Sequence, residues 1–164
     1  MQVADLVSRI RGASDCVVHK PAGLPAVLPP HRMPDDLLSF YRLCGGLVLH
    51  QTAPFPALLV PPAGLVLANP VIVGELGEYD ISSAWYILSS DGSNSQILTI
   101  DLAEERLGRC YNSFWDRHAV AGSSTVIARS FSEFLQRSFE NDGQDVYRHV
   151  PGFVAHGDAY DPPA

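Results

Sequence analysis

The chain has 164 residues, of which 46% are hydrophobic and 18% charged, with a formal net charge of −7. That length suits one domain able to bury its own core, and the composition excludes a disordered chain. The acidic balance argues against a general nucleic-acid binder, which needs a basic face for phosphates, but permits a basic protein partner. Cys16, Cys44 and Cys110 are odd in number and widely spaced, with no C-x-x-C. They exclude a disulfide framework and a cysteine zinc site, and they fit a reducing cytoplasm.

Val3, Leu6, Val7 and Ile10 recur at i, i+3, i+4 and i+7, which predicts an amphipathic first helix ending at Gly12. The early Asp5 and the missing apolar segment do not match a signal peptide. Val17 to Arg32 holds Pro21, Gly23, Pro25, Pro29 and Pro30, and reads as a partly extended surface connection. Pro34 opens a second helix, with Asp35 and Asp36 favouring its dipole. Leu37, Phe40, Tyr41 and Cys44 form its buried stripe, and Gly45-Gly46 predicts a left-handed stop.

Mostly strands are expected from Leu47 to Ala128: Leu47–His50, Ala57–Val60, Leu65–Ala68, Val71–Val73, Trp85–Ser89, Gln96–Leu102, Gly108–Tyr111 and Thr125–Ala128. The stretch Pro56 to Val73 is apolar but broken by Pro61, Pro62, Gly64, Asn69 and Pro70, which excludes a membrane helix. Trp85–Ser89 and Gln96–Leu102 make the clearest hairpin, turned at Asp91-Gly92. Leu98, Ile100 and Leu102 alternate with Ile97, Thr99 and Asp101, predicting a sheet with one face more buried. Ser130 and Glu133 form a capping box for a last helix, whose stripe is Phe131, Phe134, Leu135 and Ser138. Helices, a run of strands and a final helix predict an α+β fold, with a mainly antiparallel, twisted sheet flanked by N-terminal and C-terminal helices. One domain is expected over residues 1–150, followed by a loosely held tail over 151–164.

Three segments in order carry a family resemblance. Pro34, Asp36, Leu37, Phe40, Tyr41, Gly45 and Gly46 form the first, Trp85, Asp91 and Gly92 the second, and Phe131, Phe134 and Leu135 the third. In this spacing the chain resembles the SMI1/KNR4 superfamily, also called SUKH, from about Val3 to Asn141. Met33 stands where that pattern has Leu, and Gly45 where it often has Asn. The resemblance implies the α+β fold and a binding role without catalysis. It points to an immunity protein occluding a co-encoded bacterial toxin of nuclease or deaminase type, or else to a scaffold or regulatory binder.

No Walker loop, H-E-x-x-H or G-x-S-x-G is present, so no catalytic residue, metal ligand or cofactor is expected. Asp116/His118 and His156/Asp158 read as surface polar pairs, since no further ligand stands at metal spacing. Two loops are candidate partner contacts. Trp115, Asp116 and Arg117 lie in an aromatic and charged loop, residue types that dominate binding hot spots; the competing reading folds Phe114 and Trp115 back onto the core. Glu75, Glu78, Tyr79 and Asp80 form an acidic loop, and Glu104-Glu105 a second cluster; either they are solvated surface or they plug the basic cleft of a toxin domain.

Overall fold

The computed structural model describes residues 1–90, 96–144 and 151–162. Helix α1 spans Val3–Arg11, β1 Val17–Val18, α2 Asp35–Leu43, β2 Leu47–Leu49, β3 Ala57–Leu59 and the short α3 Ala68–Ile72. Then come β4 Trp85–Ser90, β5 Ile97–Asp101, β6 Cys110–Asn112, β7 Val126–Ala128 and α4 Phe131–Glu140. The seven strands pair in chain order as one antiparallel meander. The Asp91-Gly92 turn between β4 and β5 lies outside the described residues. The fold is α+β, as the order of periodicities predicts.

The helical stripes lie where the spacing puts them. Val3, Leu6, Val7 and Ile10 of α1 are buried, as are Leu37, Phe40 and Tyr41 of α2 and Phe131, Phe134, Leu135 and Ser138 of α4. The apolar ones form one cluster with Tyr86, Leu88, Ile100, Cys110 and Ile127 from the sheet. Ser130 caps α4 by accepting from the Glu133 amide at 3.1 Å. The return bond of Glu133 goes to the Arg129 amide at 2.8 Å, one residue before the cap. Asp36 ties α2 to α4 by accepting from the Ser132 amide and hydroxyl at 2.9 and 3.0 Å.

Gly45-Gly46 ends α2 by a different device from the one expected. The C-cap, Cys44, is extended (φ −156°, ψ 168°), and Gly46 alone has a positive φ, 99°. Gly45 is required by close approach instead: a Cβ there would collide with the Lys20 carbonyl oxygen. The two segments are held together by His19 N–H to Gly46 O and Gly45 N–H to His19 O, both at 3.0 Å. Gly45→Ala must push these backbones apart, and we expect a loss of about 2 kcal/mol or more, measurable by denaturant unfolding. Unchanged stability would mean the strands can separate freely.

Two expected strands are absent. Pro62–Gly64 is a 3-10 turn, Leu67 makes only a single bridge to Tyr86, and Ala68–Ile72 is helical. Pro70 explains the difference. It cannot donate to a strand ladder, yet in the first turn of a helix its missing N–H goes unused. Conversely, Val17–Val18, read as connection, pairs with β2 as an edge strand.

Both faces of the central sheet are covered. Ile97, Thr99 and Asp101 of β5 are as buried as Ile100, against the expected one-sided pattern. Their face is roofed by α3, by the loop after β6 and by the C-terminal segment, through clusters around Trp85, Tyr111, Val126 and Ala159 and around Ala68, Ile87 and Ile97. Residues 156–159, expected to hang loosely, dock on β7. The Val126 amide donates to Gly157 O at 2.9 Å, the His156 amide to Val126 O at 3.0 Å, and the Ala159 amide to Ser124 O at 2.8 Å. This pairing satisfies an edge that would otherwise be open.

Candidate partner-binding face

The roofed face carries a buried polar layer rather than a second oily core. Asp101 is fully buried, and its Oδ2 accepts from Tyr111 O–H at 2.7 Å, Arg106 Nε at 2.9 Å and Trp85 Nε1 at 3.1 Å. Its Oδ1 accepts from the Ala103 amide at 3.0 Å. Burial pushes the Asp101 carboxyl up, opposed by these donors and by the Arg106 charge. The layer continues through Thr99 and Ser113, whose hydroxyls are 2.8 Å apart.

Above Trp85 lies a second set of contacts. His118 meets the Trp85 ring edge-on, with centroids 5.5 Å apart. Its Nε2 is 2.6 Å from Asn69 Oδ1, and the Asn69 amide nitrogen donates to Leu76 O at 2.9 Å and Ser82 Oγ at 3.0 Å. Asp80 accepts from the Ser82 amide at 2.9 Å, from Ser82 Oγ at 2.5 Å and from Tyr160 O–H at 2.7 Å. Partial burial raises the Asp80 carboxyl, but the bonds from Ser82 and Tyr160 outweigh it and hold the group below its usual range. Burial pushes His118 down to about 4, so its imidazole is neutral at pH 7. The expectation of a surface Asp116/His118 pair is therefore corrected: His118 is buried and Asp116 exposed. The His156/Asp158 pair is likewise not a free surface pair. His156 Nε2 lies 2.8 Å from Glu133 Oε1, and Asp158 Oδ2 accepts from the Gly122 and Tyr160 amides, both at 3.1 Å.

The outer surface of these loops is exposed. Tyr79 is 98% accessible and Trp115 66% accessible. Glu75, Glu78, Asp116 and Arg117 are exposed beside them in sequence, so Trp115 does not fold back onto the core, whereas Phe114 is half-buried. An open groove of about 490 Å³ is lined by Glu78, Tyr79 and Asp80 from one segment and Glu104, Glu105 and Arg106 from another. Arg106 is spent on Asp101 and on Glu105, at 2.9 and 3.1 Å. Glu104 pairs with Arg32 at 2.6 Å, which holds its carboxyl low, but both side chains are largely exposed and the pair is weak. The groove is thus acidic, and it joins two carboxylate clusters that are separated in sequence. Among the described residues no group of three or more His, Cys, Asp or Glu could hold a metal ion, and no helix is long and apolar enough to cross a membrane.

The sequence pattern of the SMI1 / KNR4 family (SUKH-1) matches residues 30–137. The chain belongs to this family. It is also 47% identical to "Immunity protein YokJ" of Bacillus subtilis (strain 168) over 161 residues, 98% of this chain and 97% of that protein. No solved structure matches it significantly. Within the SMI1/KNR4 match lie Pro34, Trp85 and Phe134, the anchors of the three sequence motifs, together with the acidic loop and the Trp115 loop.

Of the side chains gathered here, sequence reading singled out the exposed ones and His118, and passed over the buried Asn69 and Ser82 and the half-buried Tyr160. Ser82 and Tyr160 sit among other polar residues and carry no signal of their own, and Asn69, a lone polar residue in an apolar run, looks like a turn former. One clue was available for Asn69. It stands beside Pro70, where a strand reading leaves the polar side chain without a purpose.

Proposed function

We propose that this chain is an immunity protein that neutralises a bacterial toxin by binding it, and that the roofed face of the sheet makes the contact. The observation that carries this reading is the 47% identity, across nearly the whole length of both chains, to a Bacillus subtilis protein named an immunity protein. Glu75, Glu78, Tyr79 and Asp80 in one loop and Trp115, Asp116 and Arg117 in the other supply the contact surface. Asp80 acts mainly by shaping its loop, since Ser82 and Tyr160 occupy its carboxylate. The protein works by stoichiometric occlusion and not by catalysis, in the cytoplasm, where an incoming toxin acts.

The partner is a basic toxin domain. The chain carries a net charge of −7, and its groove joins Glu78 and Asp80 to Glu104 and Glu105. Such a surface speeds encounter with a cationic cleft and rejects neutral or acidic ones. The test is the affinity for the purified toxin domain encoded beside this chain. Raising the salt from about 0.1 M to about 1 M shortens the screening length from about 10 Å to about 3 Å. Affinity should fall at least about tenfold, and Glu78→Lys with Glu105→Lys should weaken binding about 100-fold. Tight binding indifferent to both changes would contradict a basic partner.

A further inference from the structure

The acidic loop and the Trp115 loop are far apart in sequence, yet both are fastened to one side chain. Asn69 is 3% accessible, Ser82 2% and His118 4%. None of the three can exchange a lost partner for bulk water, so breaking one bond strands the next group. The two Asn69 donor contacts, to Leu76 O and Ser82 Oγ, fix which end of the amide is nitrogen. Its oxygen must therefore accept, and His118 must present Nε2–H. The His118 Nδ1 then carries a lone pair, with no hydrogen-bond partner among the described residues. Only one tautomer and one orientation of the ring satisfy the junction.

Packing adds a second constraint from the opposite side. Gly77 has a φ of 60°, and a Cβ there would approach the Asn69 amide nitrogen to 2.8 Å. The acidic loop is thus wrapped closely around the same amide that holds His118. Tyr160 extends the fastening to the C-terminal segment through Asp80. Three residues before His118 stands Trp115, and two after Gly77 stands Tyr79, the most exposed large aromatics of the two loops.

We infer that the two loops form a single unit coupled through the Asn69–His118 junction, and that this unit, rather than either loop alone, is the surface offered to a cationic toxin domain. The recognition half rests on the immunity reading; the coupling stands on the contacts themselves. Aromatic anchors on a surface already ordered before encounter lose little freedom on binding, which favours affinity. Asn69 and His118 are positioning residues here and touch no partner. Coupling of this kind is reciprocal, so a disturbance in either loop must reach the other.

Amide hydrogen exchange on the free protein tests the coupling without any partner. The Arg117 and His118 amides donate to Phe114 O at 2.9 and 2.8 Å, and the Asp80 amide to Gly77 O at 2.9 Å, so each loop has a protected reporter. His118→Leu should speed exchange at Asp80 about tenfold, and Gly77→Ala should do the same at Arg117 and His118, with β4 and β5 unchanged. His118→Gln, which keeps a donor towards Asn69, should restore slow exchange at Asp80. Affinity for the adjacent toxin domain should fall in His118→Leu and recover in His118→Gln. Faster exchange confined to the mutated loop would overturn the coupling. Wild-type affinity in His118→Leu, with both loops loosened, would overturn the single surface. Should the wild-type chain itself fail to bind the toxin, the immunity reading falls, and the exchange result alone decides the coupling.

Discussion

Asp101→Ala is expected to destabilise the fold by about 3–5 kcal/mol, the range for removing one partner of a buried ionic network. The carboxylate satisfies four donors: Trp85 Nε1, Tyr111 O–H, Arg106 Nε and the Ala103 amide. Trp85 and Tyr111 are fully buried, their rings tilted against each other with centroids 4.3 Å apart, so water cannot replace what they lose. Arg106 is less affected, because Glu105 remains within reach. Asp101→Asn should cost roughly half as much as Asp101→Ala. Its oxygen can keep the site shared by Trp85, Tyr111 and Arg106, but its NH₂ then faces the Ala103 amide, donor against donor. Chemical denaturation of the two variants checks the order. If Asp101→Ala lost less than about 1 kcal/mol, the polar layer would not be what holds the roof of the sheet.

The second large effect is on the pH dependence of stability. His118 titrates at about 4 in the folded chain, lowered by burial and only partly supported by the Asp80 charge. An unfolded histidine titrates near 6.5. Between these values the unfolded chain binds more protons than the folded one, so stability falls as the pH drops through this window. It is fully present above about pH 6.5. The shift corresponds to about 3 kcal/mol lost by about pH 4. His118→Gln has no proton to gain. The stability advantage of wild type over this variant should therefore shrink by about 2–3 kcal/mol from about pH 7 to about pH 4.5. A constant difference would show that His118 binds protons alike in the folded and unfolded chains, as an imidazole open to water does.

Legibility of the fold followed the strength of local signals. The stripes of α1, α2 and α4 repeat over two or more turns, and the Ser130 cap stands where its helix begins. The β4–β5 hairpin was equally plain from its apolar run, although one residue near Leu88 bulges and shifts the register between Ile87 and Ser89. The region around Pro61–Val73 was not legible as helix. Short apolar runs such as Leu65–Ala68 and Val71–Val73 look like strands by type, and only the place of Pro70 in a first turn speaks for the helix Ala68–Ile72. The double burial of β5 was hidden for a related reason. Thr99 and Asp101 look solvent-facing until Ser113, Arg106 and Tyr111 arrive from elsewhere to satisfy them.

The candidate surface divides in the same way. Trp115 and the acidic loop could be picked out because Trp, Tyr and Arg gathered in a loop are the types that dominate binding hot spots, and because the carboxylates cluster within a few residues. That Glu78 and Glu105 share one groove, and that His118 and Leu76 share one amide, depends on contacts across tens of residues. No spacing rule reports such contacts. The family motifs did not help here, because Pro34, Trp85 and Phe134 serve the framework and lie in its core or at a helix cap.

Co-expression with the reading frame beside this gene, the toxin on the immunity reading, tests the central claim most directly. The wild-type chain should restore growth to cells that make the toxin, and a variant with Glu78→Lys and Glu105→Lys, folded and equally abundant, should fail to do so. Continued killing with both wild-type proteins soluble and abundant would contradict the account.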